Sequence, residues 1–358
     1  WGAIARMTTQ EYLDQCFQDA HLKALLASQW ADYGLSPSQS CFGIHSLIVT
    51  HFFHGGWYPV GGAGAIAQSI IPVIEQAGGA IITQRRVTEI LLDSGTAVGV
   101  KAQNAAHSNT EAEIYHAPIV ISDAGAVNTY LKLIPESYPL RDREAIKKFP
   151  KGNSFLTLYL GLKESPQKLG FQGENHWIYN TYNHEQVARN YPTPQFCYLS
   201  FPSLKNPLAK GHTAEIIAHI DYDFFSRWQN QPWRRRGSDY GELKSQIAKS
   251  LIQFVEDHYP GFQDLIEYAE LSTPLTVEHF DNSDRGAVYG IPCIPERLDQ
   301  NWAAAKTPIK NLYLTGADAL APGIMGAMMG GVKTAGLLNG ALGFFKIMAT
   351  AKKQQPVS

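Results

Sequence analysis

One stretch near the end of the chain constrains the fold more than any other. It reads NLYLTGADALAPGIMGAMMGGVKTAGLL and covers residues 311–338. It predicts a short buried strand at residues 312–314, a turn at Gly316 and then a tightly packed helix rich in glycine and alanine. Because glycine has no Cβ, Gly323 and Gly326 leave room for another body against the start of that helix.

The start of this helix is a candidate cofactor site. A helix N-terminus offers unpaired backbone N–H groups and a partial positive charge. Aimed at the pyrimidine edge of a flavin, these groups would stabilise the anionic reduced ring. Asp318 could bind a ribityl chain or order a water on a phosphate. A packed glycine-rich helix after a capped turn explains the same residues without a cofactor.

A second glycine-rich stretch, GGWYPVGGAGAIAQ, contains Gly62, Gly64 and Ala67 in the pattern G-x-G-x-x-A. This is the spacing of a dinucleotide-binding turn, which follows directly after a buried strand. Here the preceding apolar run ends nine residues before Gly62, and Pro59 lies between them. A glycine-rich loop that opens a helix is the favoured interpretation. The alternative is NADP, with the pair Arg85–Arg86 binding its 2′-phosphate.

The rest of the chain predicts an α/β protein, α+β overall, with two interleaved domains. Part of a Rossmann-like domain (55–125 and 306–345) alternates with an antiparallel sheet and helices (1–54 and 126–305), and 346–358 form a tail. Thr8 or Thr9 caps a helical stripe that runs to residue 30, and a second helix starts at Ala65 and ends at Gly78-Gly79. Strands are predicted at AIITQ and on either side of the turn Asp93–Gly95.

Composition excludes several classes of protein. The 358 residues are 44% hydrophobic and 17% charged, with a net charge of −2, so no nucleic-acid partner is expected. Four cysteines, at positions 16, 41, 197 and 293, form no C-x-x-C pair. Scattered reduced thiols favour a cytoplasmic location. His51 and His54 are three residues apart without a nearby carboxylate, so no metal site is predicted.

Five stretches of the chain resemble sequences of the FAD-dependent carotenoid and retinoid oxidoreductases. This family includes phytoene desaturases, carotenoid isomerases and retinol saturases, and the last are the most similar. The matching stretches lie between Tyr33 and Leu338; they are YGLSPSQSCFGIHSLIV, GGWYPVGGAGAIAQSIIPVIEQAGGAIIT, IVISDAGAVNTYLKLIP, TPLTVEHFDNSDRGAVYG and NLYLTGADAL. Their length and order are specific for the family and less specific for the substrate.

The resemblance implies a bound FAD and a substrate domain inserted into the FAD domain. It assigns Gly61 and Gly62 to the flavin at the domain junction and Val87 to the adenine through its backbone. The flavin ring and ribityl chain would contact the segment after the last strand, namely Gly316, Ala317, Asp318, Gly323, Ile324, Met325 and Gly326.

The family carries its own G-x-G-x-x-G at the extreme N-terminus, and this chain has no such segment there. The chain is therefore expected to be a C-terminal fragment that lacks the pyrophosphate-binding turn. FAD binding by the chain alone is then in question. An exposed sheet edge would favour self-association.

The implied reaction is carried out on an apolar polyene, as retinol 13,14-saturation or as carotenoid desaturation or isomerisation. NAD(P)H is a candidate reductant. Candidate proton donors are Tyr289, Tyr58 and His51, and Arg285 and Tyr289 are expected to line the substrate pocket. The rival hypotheses are the NADP-dependent reductase above and a non-catalytic module that binds an apolar ligand.

Peripheral membrane contact is a further hypothesis. In GLLNGALGFFKIMATAKK, the residues Leu338, Leu342, Phe345 and Met348 lie near one helix face, and lysines follow. A helix that packs on the core explains this pattern equally well.

Overall fold

The computed structural model describes residues 2–105, 111–187 and 193–353. The chain divides into two compact units, each built from two separate stretches. Unit 1 comprises Trp1–Ile81 and Asn153–Val288, and unit 2 comprises Ile82–Gly152 and Tyr289–Ser358. Mixed helices and strands in alternating stretches confirm the predicted fold class. The predicted domain boundaries differ from this division at 55–81, 126–152 and 289–305, and they stay a prediction.

The strands are, in chain order, β1 (Arg85–Asp93), β2 (Thr96–Asn104), β3 (Glu113–His116), β4 (Val120–Ser122), β5 (Ser154–Leu162), β6 (His176–Tyr179), β7 (Phe196–Ser200), β8 (His212–Ile220), β9 (Ile266–Ser272) and β10 (Leu312–Leu314). The α-helices are α1 (Gly2–Ala5), α2 (Thr9–Cys16), α3 (Ala20–Ala27), α4 (Phe42–Phe52), α5 (Gly64–Gln76), α6 (Ala126–Asn128), α7 (Arg143–Lys148), α8 (His184–Val187), α9 (Pro202–Lys205), α10 (Gly237–Glu256), α11 (Pro274–Asp281), α12 (Gly316–Ala319), α13 (Gly323–Leu338) and α14 (Gly343–Lys353). A π-helical turn at Thr129–Leu133 continues α6, and short 3₁₀ helices lie at Trp30–Asp32, Pro166–Leu169, Tyr222–Trp228, Gln263–Leu265, Asp284–Gly286, Pro295–Asp299 and Asn301–Ala303.

Unit 1 is organised around an antiparallel sheet in the order β6-β7-β8-β5-β9. Alternate residues of β5 point to one face, and Leu156, Leu158 and Leu160 are all buried there. They belong to the same core as Ile247 and Leu251 of α10. The antiparallel sheet with helices that the sequence predicts for this part of the chain is thereby confirmed.

The first helical segment is broken in two, so the prediction of one continuous stripe up to residue 30 is wrong. Helix α2 begins as expected: Thr8 accepts the N–H of Glu11, and Glu11 accepts the N–H of Thr8. It ends at Cys16, because Asp19 has an extended backbone and its carboxylate accepts the N–H groups of His21 and Leu22. A second cap therefore starts α3 where the apolar period alone predicts continuity.

Unit 2 contains two sheets. Strands β1, β2 and β3 form an antiparallel sheet, and β10 pairs in parallel with β4. The hairpin turn between β1 and β2 is confirmed: Ser94 and Gly95 have φ values of 49° and 78°, the signs that a type I′ turn requires.

The predicted strand at AIITQ is wrong. Residues 80–84 form no ladder with another described strand, and Ile81 and Ile82 are exposed. A strand requires a hydrogen-bonded neighbour, and an apolar run does not supply one by itself. Regular pairing starts at Arg85, whose Cα partner is Asn104.

Helix α5 ends as the sequence predicts. Gly78 adopts φ 79°, and the N–H groups of Gly78 and Gly79 reach the carbonyl groups of Glu75 and Ile74. These two bonds define a Schellman motif. None of the thirteen residues of α5 is buried, and the apolar side chains of Ile66, Ile70 and Val73 are exposed.

Candidate cofactor site

The site in unit 2 lies at the carboxyl edge of the parallel pair β4 and β10. Leu314 at the end of β10 is the register partner of Ser122 at the end of β4. The loops that follow both strands therefore emerge at one edge of the sheet, the position at which open parallel sheets bind ligands. After β10 the chain turns through Gly316 into α12 and then into α13.

Asp318 ties this edge together. Its side chain is buried at 7% exposure; Oδ2 accepts the N–H of Ala126 at 2.7 Å, and Oδ1 accepts the N–H of Ile291 at 2.8 Å. The carboxylate thus joins α12, the start of α6 and the segment after Gly290. Each carboxylate oxygen can accept a second hydrogen bond. The predicted contact of Asp318 with a ribityl chain is therefore compatible with this geometry and stays a prediction.

Two glycines allow carboxylates to approach the backbone closely. Gly316 has φ 74°, and a Cβ on it would lie 1.8 Å from Oδ1 of Asp123. Gly290 has φ 71°, and a Cβ there would lie 2.1 Å from Oδ1 of Asp318. Burial and the nearby Asp318 carboxylate raise the pKa of Asp123. The carboxylates of Asp123, which follows β4, and Asp318 of α12 therefore lie close together at this edge of the sheet.

Arg297, which the sequence does not single out, stabilises the segments around Asp318 through hydrogen bonds to their backbone. It is buried, and its guanidinium donates to the carbonyl oxygens of Ile291 at 2.6 Å, Ala317 at 2.7 Å and Asp318 at 3.3 Å. Thr334 of α13 donates to the carbonyl of Leu314 at 2.7 Å. The turn is thus positioned by side chains far away in sequence, and no local motif marks them.

The N-terminus of α13 has no side-chain cap. Its N-cap residue is Pro322, which lacks an N–H group, and the next residues are Gly323, Ile324 and Met325. Gly323 has φ 78° and open space where a Cβ would be, while Ile324 and Met325 are 67% and 52% exposed. The first N–H groups of a sixteen-residue helix are thus accessible to a ligand.

Gly326 serves a different purpose from Gly323. A Cβ on Gly326 would lie 2.1 Å from the carbonyl oxygen of Ala321, and one on Gly330 would lie 2.3 Å from that of Gly316. Both glycines let α13 pack on the preceding turn. The sequence predicts that Gly326, like Gly323, leaves room for another body, whereas in the structure Gly326 makes room for the carbonyl of Ala321. Its contact with a cofactor stays a prediction.

The other predicted cofactor contacts lie in both units. Val87 in unit 2 is 38% exposed in β1, beside an irregularity in the ladder, and pairs with Ala102. Gly61 and Gly62 in unit 1 have φ values of 94° and 82°, and the N–H of Gly61 donates to Oδ1 of Asn206 at 3.0 Å. Their predicted contacts with FAD are not tested by this geometry.

The candidate proton donors and substrate residues are also divided between the units. His51 and Tyr58 in unit 1 are exposed, and Tyr289 in unit 2 is half-buried. Arg285 has φ 54° and donates to Oδ1 of Asp223 at 2.6 Å. The stretch 274–281 before it forms helix α11.

The dinucleotide-binding turn of the NADP alternative lacks its structural basis. The element before Gly62 is the helix α4, followed by a loop, whereas this motif requires a buried strand. Within the described parts of the chain, no three His, Cys, Asp or Glu side chains are grouped closely enough to hold a metal ion. None of the described helices has both the length and the hydropathy that crossing a bilayer requires.

No protein-family model matches the chain. Individual proteins do match it over most of its length. All-trans-retinol 13,14-reductase of Danio rerio is 33% identical over 356 residues, which cover 92% of this chain and 57% of the relative. The rat enzyme of the same name is 32% identical with the same coverage. Prolycopene isomerase 2 of an Oncidium hybrid is 29% identical over 84% of this chain and 49% of the relative.

The chain is homologous to these reductases and isomerases. It spans little more than half the length of the curated relatives that it matches. The same family includes a Danio rerio protein described as an inactive all-trans-retinol 13,14-reductase, 25% identical over 91% of this chain. Similarity to retinol reductases and prolycopene isomerases therefore does not by itself establish activity.

Solved structures share the fold of this chain. An oxidoreductase from Methanosarcina mazei superimposes with a TM-score of 0.59 at 17% identity, covering 96% of this chain and 68% of that one. Cyclohexylamine oxidase from Brevibacterium oxydans gives 0.55 at 14% identity, covering 98% and 69%. At these identities the similarity concerns the fold alone.

Proposed function

We propose that the chain forms part of a flavin-dependent oxidoreductase that acts on a polyene lipid. The observation that carries this proposal is the accessible, uncapped N-terminus of α13 after the carboxyl end of β10. Homology to retinol reductases and prolycopene isomerases indicates which chemistry such a site would serve.

The residues at this N-terminus fit a flavin. The N–H groups of Gly323, Ile324 and Met325 would hold negative charge at the pyrimidine edge of the ring, and Gly323 leaves space for close approach. FAD, when bound, supplies the hydride chemistry that a change in C–C bond order requires. Val87 and Gly61–Gly62 are the proposed contacts of the rest of the cofactor, and NAD(P)H is the proposed reductant.

The polyene is proposed to be a retinoid or a carotenoid. Saturation adds a proton to one carbon of the double bond, and the chain's own contribution would be the group that holds that proton. Tyr289, Tyr58 and His51 are the proposed donors. Arg285, held by Asp223, and Tyr289 are proposed to orient the substrate. Isomerisation leaves the number of hydrogens unchanged, so loss of saturation alone in Tyr289→Phe would identify the donor.

The cofactor step is tested by a matched pair of glycine substitutions. Gly323→Ala and Gly170→Ala both place a side chain at positive φ with open space around the Cβ, so both carry a similar backbone strain of about 1 kcal/mol. Only Gly323 lies at the α13 N-terminus. We expect Gly323→Ala to reduce FAD content, measured by flavin absorbance at equal protein concentration, and Gly170→Ala to retain it. Equal flavin content in both variants would contradict the assignment of α13.

The reaction is tested with all-trans-retinol and prolycopene as substrates, with reduced flavin present and products separated by chromatography. A saturated retinoid or an isomerised carotenoid supports the proposal. Protein that binds no flavin, converts neither substrate and is protected from heat by NADPH would contradict it.

A non-catalytic apolar-ligand-binding module is a second candidate. The relative described as inactive favours it, as do the exposed side chains Ile324 and Met328. Retinoid that quenches tryptophan fluorescence in a protein without flavin or turnover would support this second function over the first.

A further inference from the structure

Unit 1 contains a cavity of about 890 Å³ at the free edge of its sheet. It lies beside β9, the last strand in the sheet order, between the N-terminal half of α10 and helix α11. Its charged lining consists of Arg234, Arg236 and Lys244, together with the carboxylates of Glu270 and Asp281.

Arg236 is the unusual member of this lining. It is 93% buried, since only 7% of it is exposed. One terminal nitrogen donates to the carbonyl of Leu275 at 3.3 Å, and the other contacts the hydroxyl of Tyr240 at 3.5 Å. Its Nε–H is buried without a hydrogen-bond partner. An unpaired buried donor on a cation is costly, so it indicates a missing acceptor.

The charges around Arg236 do not supply that acceptor. Lys244 and Glu270 neutralise each other in an ion pair of 2.6 Å. Asp281 is exposed and lies near Tyr159. In the portion of the chain that the structure describes, no ion pair involves Arg236 or Arg234. Three cations and two carboxylates therefore leave the cavity lining with a net positive charge.

Aromatic side chains give the cavity its apolar wall. Trp233 stacks on His279 with ring centroids 5.2 Å apart and meets Phe280 edge-on at 5.1 Å. The guanidinium of Arg234 lies 4.3 Å above the Trp233 ring. Phe280 is 60% exposed. Trp233 and Phe280, both in the lining, offer an apolar surface beside the buried cation.

We propose that this cavity binds an amphiphilic anion. Its phosphate or carboxylate head would accept side-on hydrogen bonds from Nε and Nη2 of Arg236, the fork that suits such oxygens. Its apolar body would lie against Trp233 and Phe280. The site is contained in unit 1 and does not depend on the proposed flavin chemistry.

The chain itself is tested with four probes: decyl phosphate, decanoate, decanol and inorganic phosphate. Binding is followed by the rise in unfolding temperature and by tryptophan fluorescence. We expect decyl phosphate or decanoate to bind at least roughly tenfold more tightly than decanol, because a charge-assisted bond is lost in the alcohol. Inorganic phosphate that binds as tightly as decyl phosphate would overturn the role of the apolar wall. Decanol that binds as tightly as both anions would overturn the role of the cation.

Two substitutions localise the effect. Arg236→Gln is expected to weaken decyl phosphate binding roughly tenfold or more, and Arg236→Lys to weaken it less, since charge is retained and the fork is lost. The control is Arg227→Gln, which removes an exposed arginine paired with Asp239. An equal loss in the control, or none in a folded Arg236→Gln protein, would overturn the site. If Arg236→Gln does not fold, the comparison of anionic with neutral probes on the unchanged chain decides the proposal.

Discussion

Oδ2 of Asp318 accepts the backbone N–H of Ala126 at 2.7 Å, although 192 positions separate the two residues. The second oxygen accepts the N–H of Ile291. A single carboxylate thus joins the loop after β4, the loop after β10 and the segment that enters unit 2 after Val288. These bonds fix the turn that precedes the candidate cofactor site.

Asp318→Asn is expected to destabilise unit 2 by about 2 kcal/mol, because an amide has only one acceptor oxygen and its NH₂ group would face a backbone N–H. Urea unfolding followed by circular dichroism measures the change. The control is Asp93→Asn, an exposed turn residue of the same unit. Among the described residues, its carboxylate accepts a side-chain hydrogen bond only from neighbouring Ser94. Equal stability of the two variants would contradict the role of Asp318.

Two adjacent glycines of α13 should respond oppositely to alanine. Gly330→Ala places a Cβ 2.3 Å from the carbonyl oxygen of Gly316, so overpacking is expected to cost about 2 kcal/mol. At Gly331 the nearest atom is Oγ1 of Thr315 at 3.9 Å, and alanine is expected to stabilise the helix by up to about 1 kcal/mol. Thermal unfolding of both variants tests the pair. Destabilisation by Gly331→Ala would contradict the presence of room for a Cβ at position 331.

Stability is expected to fall as the pH decreases from about 6.5 to about 4. Burial lowers the pKa of His45 from its ordinary 6.5 to about 4. The unfolded chain therefore binds a proton at pH values where folded His45 is still neutral, and this costs at most about 3 kcal/mol. Burial likewise lowers the pKa of His219 to about 4, although the nearby Asp221 carboxylate acts in the opposite direction.

His45→Gln tests this dependence, since glutamine does not titrate and can still bond the Tyr33 hydroxyl, which lies 3.0 Å from Nδ1 of His45. We expect a smaller slope of unfolding free energy between about pH 5 and pH 6.5, above the range of most carboxylates. His116→Gln, at an exposed residue of β3, is the matched control for the substitution. A slope that is identical in all three proteins would exclude His45 as its source.

Membrane contact through α14 is a separate prediction. Phe345 is 68% exposed and Met348 40% exposed, and Lys352 and Lys353 end the helix. If this face enters a bilayer interface, Phe345→Asp should abolish co-sedimentation with anionic liposomes. Leu208→Asp, at a residue 65% exposed in unit 1, should not. Unchanged sedimentation of Phe345→Asp would count against the membrane hypothesis.

Local features were predictable from the sequence because their chemistry is local. The capping box of Thr8 and Glu11, the turn at Ser94–Gly95 and the helix end at Gly78 each depend on a few consecutive residues. Hydrophobic periodicity alone does not reveal a helix cap. The cap formed by Asp19 therefore separates α2 from α3 where the apolar pattern predicts one continuous helix.

The support of the candidate site was not predictable in the same way. Arg297 lies in a short 3₁₀ helix without a motif, and its acceptors are up to 21 positions away. The sequence predicts a cofactor contact for Asp318, but its backbone partners Ala126 and Ile291 come from segments that only the tertiary fold brings together. Ile81–Ile82 resembles a strand in composition, and pairing depends on a neighbour that composition does not specify.

The alternation of the two units along the chain has a consequence for how the protein is made and degraded. The backbone crosses between units after Ile81, Gly152 and Val288. No single proteolytic cut therefore separates one unit from the other, because at least one of the two fragments contains residues of both. A ribosome that has passed residue 288 has completed unit 1, while unit 2 still lacks β10 and α13. A nonsense mutation between residues 153 and 288 would truncate both units at once.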